Sequence, residues 1–106
     1  MPLEFTDEGN GLIVRVDGDV VEIFLSGAFS HRVLLASLAV QVQPSIKGRL
    51  LVRIGAAQSG PLYEVQRKIR TRPGSAVQVI IRTEEEPAYR QFFTQVAELC
   101  GRPVSF

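Results

Sequence analysis

The sequence predicts an α/β fold. The expected core is a mixed sheet of about four or five strands, opened by an N-terminal hairpin, continued by parallel βα units and covered by three helices. Three observations predict it. An Asp-Gly turn at Asp17-Gly18 joins two apolar runs. Short apolar runs then alternate with stretches whose apolar residues recur at helical spacing. Thr83-Glu84-Glu85-Glu86 opens the clearest of those amphipathic stretches.

The element order reads β-β-α-β-α-β-α-β. Residues 1–10 read as a loose lead-in to a single domain spanning 1–106. Residues 12–16 alternate as a strand does, and 20–25 form its return strand across the Asp-Gly turn. Ser30 suits a helix N-cap. Residues 31–43 then place Leu34, Leu35, Leu38, Ala39 and Val42 on one helical face, and Pro44 stops the helix. Lys47-Gly48 is a turn into a buried strand over 49–54. The stretch Ile54-Gly55-Ala56-Ala57-Gln58-Ser59-Gly60-Pro61-Leu62 reads as strand end, small-residue loop and helix start. Pro61 fits a first helical position. Leu62, Val65, Gln66 and Ile69 recur behind it, Glu64 and Lys68 make an i,i+4 pair, and 72–75 (RPGS) end the helix. Residues 76–81 read as a strand. Thr83 and Glu86 then form a capping box, with Tyr89, Phe92, Phe93, Val96 and Leu99/Cys100 on one face. Gly101 and Pro103 end that helix, and 103–106 read as a short last strand.

Composition bounds the function. The chain has 106 residues, 45% hydrophobic and 22% charged, an ordinary globular balance. The net charge of +1 supplies no global field for nucleic acid or an anionic membrane. No apolar run approaches the ~20 residues of a membrane span, and the acidic first residues do not read as a signal peptide. The single cysteine, Cys100, fits a reducing compartment, so the expected location is cytoplasmic.

The chemical motifs are incomplete. Gly55 and Gly60 have the spacing of a P-loop, but Pro61 and Leu62 stand where its Lys and Ser/Thr belong. Without them nothing reaches the β/γ-phosphates or Mg²⁺. Ser59 lacks the G-x-S-x-G frame of a nucleophile elbow. His31 is the only histidine and reads as solvated or capping. No spacing of ligands suggests a metal, and no cofactor is expected. Arg67, Lys68, Arg70 and Arg72 form a basic stretch with only Tyr63 nearby, which reads as a solvated helix face. Arg53 interrupts a buried strand and needs a carboxylate or a sheet edge to offset its desolvation.

Together, the element order from Leu12 to Phe106, the strand at 50–54, Ser59-Gly60-Pro61-Leu62 before a helix, the strand at 77–81 and the ending at Cys100-Gly101 resemble a STAS domain, the fold of bacterial anti-sigma-factor antagonists. That family's loop typically reads Asp-Ser-Ser/Thr-Gly-Leu, and its first hydroxyl residue is phosphorylated. Here Gly60 matches the glycine and Ser59 the second hydroxyl. Gln58 stands at the switch position and Ala57 at the aspartate, so the resemblance implies a partner-binding module without the standard switch. The run IFLSGAFS, followed by LLVRIGAAQSG, is also similar to the first repeats of the Clp-protease/crotonase fold, whose strand-end glycines build an oxyanion hole.

The function expected from the sequence is that of a non-enzymatic, regulatory protein-interaction module. Gln58, Ser59, Gly60, Tyr63, Arg67 and Arg70 would form its contact or anion-binding surface, with Tyr and Arg favoured as anchors. The alternatives are a small-ligand or enzymatic domain using the 55–60 loop, and a structural subunit of a homo-oligomer. A protein partner is expected, a homo-oligomer is the alternative partner, and neither nucleic acid nor membrane insertion is.

Overall fold

The computed structural model describes residues 3–26, 29–67 and 76–106. It replaces the predicted three-helix α/β fold with a mostly β one. Nine strands lie in two sheets, and the one α-helix among the described residues is the last of the three predicted.

The first sheet is an antiparallel meander of β1 (Leu3–Asp7), β2 (Leu12–Asp17), β3 (Val20–Leu25) and β4 (Phe29–Leu34), in that order. Its hairpin at Gly18-Asp19 is the predicted one, with Asp17 opposite Val20 and Gly18 at φ 63°. Leu12, Val14, Val16, Val21, Ile23 and Val33 point into the core. On the opposite face Glu4, Arg15, Glu22 and Arg32 lie across from one another, alternating in sign over the four strands. β1 replaces the expected loose lead-in. Leu3 and Phe5 alternate with Glu4 and Thr6, and Phe5 packs against Tyr89 and Phe92 with ring centroids 4.7 and 5.3 Å away.

The second sheet contains β5 (Leu38–Pro44), β6 (Arg49–Ala56), β7 (Tyr63–Val65), β8 (Ala76–Arg82) and β9 (Val104–Ser105) in the order β8-β6-β5-β7-β9. Its long strands pair antiparallel; only β5–β7 and β7–β9 are parallel. The segment 31–43, expected to be a helix, is instead β4, a 3-10 turn (Leu35–Ser37) and β5. A helix would bury Leu34, which is 60% exposed, and would leave out Val33 and Val40, which are buried. β-Branched residues at 33, 40 and 42 also fit period two, and pairing with β3 and β6 selects that period.

The expected helix after Pro61 is also absent. The loop runs straight into β7, which pairs with β5 and buries Leu62 and Tyr63. The segment that carried the STAS-like resemblance therefore opens a strand. Lys68 and residues 72–75 lie outside the described residues, as does the Glu64–Lys68 pair.

The helix α1 (Glu86–Cys100) follows a 3-10 turn at Thr83–Glu85. The capping contact sits one residue earlier than expected: the Arg82 backbone N–H donates to Glu85 Oε1 at 3.0 Å, and Thr83 Oγ1 donates to the Gly48 carbonyl. Gly101 closes the helix at φ 67° as predicted, donating its N–H to the Ala97 carbonyl. Tyr89, Phe92, Phe93, Val96 and Ala97 enter the core shared with both sheets.

Candidate functional site

The 57–62 loop is tied at its ends and open at its tip. The Ala57 N–H donates to the Ser37 carbonyl, and the Leu62 N–H to the Pro103 carbonyl. The Arg102 guanidinium donates to the Leu38 carbonyl at 2.6 Å, the Leu35 carbonyl at 3.2 Å and the Gly60 carbonyl at 3.3 Å. Gln58, Ser59 and Gly60 form the exposed tip. With β7 in place of a helix, no helix N-terminus stands behind them to hold an anion. Arg67 is exposed, and Arg70 lies outside the described residues.

Tyr63, expected as a surface anchor, is fully buried. Its hydroxyl donates to Glu86 Oε2 at 2.6 Å, and Arg90 holds the same carboxylate through Nε at 3.0 Å and Nη2 at 2.9 Å. The Arg90 guanidinium lies 4.4 Å from the centroid of the Phe106 ring. Burial, then the Glu86 carboxylate, push the Tyr63 phenol far above its ordinary value. Tyr89 makes a matching contact from the helix side. Its hydroxyl donates to Asp7 Oδ2 at 2.5 Å, and burial followed by that bond raises its pKa likewise. Asn10 Nδ2 donates to Asp7 Oδ2 at 2.7 Å and to Glu85 Oε2 at 3.3 Å. These two networks bind α1 to β7 and to β1, so the chain's buried phenols and carboxylates serve the fold.

Beside the second network lies an open cleft of about 360 Å³, lined by Asp7, Gly9, Asn10, Arg49, Ile80, Arg82 and Glu85. The sequence reading missed it, because its walls come from the end of β1 and the 3-10 turn after it, the start of β6, and the end of β8 with the turn before α1. Arg49 and Arg82 stand directly opposite each other in the β6–β8 register. Ile80, two residues before Arg82 on the same face, is 48% exposed. A second, smaller cleft of about 310 Å³ is lined by Glu22, Phe24, Ser30, His31 and Arg32. Ser59 lines neither of these clefts, and His31 lies on β4 of the first sheet. Arg53 is buried at 5% exposure, opposite Gln41 and Gln78 on the two neighbouring strands.

Among the described residues no group of three or more His, Cys, Asp or Glu is arranged to hold a metal. No helix among them is long and apolar enough to cross a membrane. The described residues define a mostly β domain of two sheets, with one α-helix between β8 and β9 in chain order. Comparison with protein-family models, curated proteins and solved structures finds no match to this chain.

Proposed function

We propose that this chain is a non-enzymatic protein-interaction module that takes up an extended segment of a partner protein along the outer edge of β8. The observation that carries this reading is the state of that strand. Among the described residues β8 is an edge of the second sheet, paired with β6 on one side only. No loop backbone among the described residues hydrogen-bonds to it. Edge strands are normally blunted by lysine, proline or bulges, because unpaired N–H and C=O groups invite a further strand. The residues of β8, AVQVIIR, contain no proline and no charge before Arg82, and Ile80 faces outward half exposed. An added strand would gain main-chain hydrogen bonds and an apolar contact.

The non-enzymatic part rests on how the reactive groups are used. Both tyrosines and their carboxylate partners are engaged in holding the helix. Ser59 sits on an exposed loop tip, and His31 on β4 of the first sheet.

Ile80→Lys tests the surface. The side chain points outward, so the change should alter stability by no more than about 0.5 kcal/mol. Proteins cross-linked to the wild type in an extract of its native host should be lost from the folded variant. Equal recovery by both would sink this reading. A wild-type dimer in sedimentation that the variant dissolves would make the occupant a second copy of the chain.

A further inference from the structure

Arg49 and Arg82 break a rule of sheet pairing. Like charges directly opposite on one face of an antiparallel pair are destabilising, and such pairs are normally relieved by a counter-charge. Two carboxylates, Asp7 and Glu85, line the same cleft, yet neither pairs with an arginine side chain among the described residues. Asp7 instead accepts from Tyr89 and Asn10, and Glu85 from Asn10 and the Arg82 backbone N–H. The acids are thus occupied by uncharged donors, while two guanidinium forks are left facing the cleft. A like-charge pair relieved by no direct salt bridge among the described residues points to a use outside the fold.

We propose that Arg49 and Arg82 receive a phosphoryl group carried on the extended partner segment, an inference that rests on the edge-strand reading above. A single carboxylate has two oxygens, enough for one guanidinium fork. A phosphoryl group differs: it carries about −1.5 to −2 charge and three acceptor oxygens, enough to engage both forks at once. Arg49 on β6 lies one strand behind Arg82 as seen from the partner, so both forks would approach the group from the same side. The strand geometry adds a spacing. Arg82 and Ile80 are two apart on one face, so a strand paired to β8 that sets its phosphorylated residue beside Arg82 sets a residue two positions away beside Ile80. The preferred segment is a phosphorylated residue two positions from a large apolar one.

The full chain would be screened against an oriented peptide library with phosphoserine fixed two positions from leucine and the other positions randomised. The enriched peptide is then measured by calorimetry with and without its phosphate, beside inorganic phosphate and vesicles of phosphatidylserine. The expected result is at least about a tenfold preference for the phosphorylated peptide. Arg49→Gln and Arg82→Gln should each remove that preference, and Arg82→Lys should recover part of it, because lysine keeps the charge without the fork. Amide shifts should map to β8 and the β5–β6 turn. Equal affinity with and without phosphate overturns the phosphoryl receptor and leaves the edge-strand reading standing. No binding by any peptide overturns the receptor, and if Ile80→Lys also leaves partner recovery unchanged, the edge-strand reading falls with it. Binding of inorganic phosphate or vesicles that matches the peptide and survives both Arg→Gln changes also overturns the receptor.

Discussion

Tyr63 shows how far a single residue's chemistry depends on what folds around it. In the sequence it stands beside a basic stretch and suits an interface anchor. In the structure it lies at the bottom of the second sheet, and its hydroxyl completes the bonding of a nearly buried Glu86. Tyr63→Phe keeps the ring stacked against Phe93, whose centroid is 5.8 Å away, and removes only the donor. Glu86 keeps Arg90 but loses its shortest bond. The expected cost is about 1–3 kcal/mol, that of leaving a buried acceptor short of a partner. Urea unfolding would measure it; an unchanged midpoint would show that Arg90 alone satisfies the carboxylate. The tyrosine's burial was not legible because β7 spans only three residues, too few to outweigh the helical spacing of Leu62, Val65 and Gln66. Arg53 was legible as an anomaly, and it is indeed buried within a central strand.

At the scale of elements, the strong local signals survive and the ambiguous ones yield to pairing. The Asp-Gly hairpin, the strands over β6 and β8 and the last helix stand where the sequence put them. Each has a local cause: positive φ at Gly18, an unbroken apolar run, or acidic residues before an aromatic stripe. The segments 31–43 and 62–67 have apolar residues that fit two periods, and neighbouring strands decide between them. The β5–β6 hairpin illustrates what was missed. Lys47-Gly48 was read as a turn, but not as the centre of a hairpin, because a helix was expected before it. Lys47 sits at φ 54°, ψ 45° and Gly48 at φ 70°, both left-handed, and the Arg49 N–H donates to the Ile46 carbonyl. That is the backbone of a type I′ turn, which favours Asn-Gly. Lys47→Asn should therefore raise stability by a few tenths to about 1 kcal/mol, since asparagine tolerates the left-handed region better than lysine. Thermal unfolding is the measurement; a lowered midpoint would mean that the lysine makes a compensating contact.

Across the whole molecule, the two sheets and the helix are joined by a pair of phenol–carboxylate bonds of opposite direction. Tyr63 reaches from β7 to Glu86 on α1, and Tyr89 reaches from α1 to Asp7 on β1. They are the only two tyrosines in the chain, so tyrosinate absorbance reports on these joints alone. Burial first, then the neighbouring carboxylate, raises each phenol above the ordinary 10.0. A group whose proton is held more tightly in the folded chain contributes stability that is complete below its unfolded value. That stability falls as pH rises past it, because the unfolded state then releases a proton that the folded state keeps. The chain should accordingly show no tyrosinate absorbance as pH passes 10.0 while it remains folded. Both phenols should then ionise together with the loss of circular dichroism from the sheets. With Tyr63→Phe the fall in stability above that pH should become shallower, because only Tyr89 remains to release a proton on unfolding. Tyrosinate appearing near pH 10 in a chain that keeps its circular dichroism would break the argument, since it would place at least one phenol in water rather than against its carboxylate.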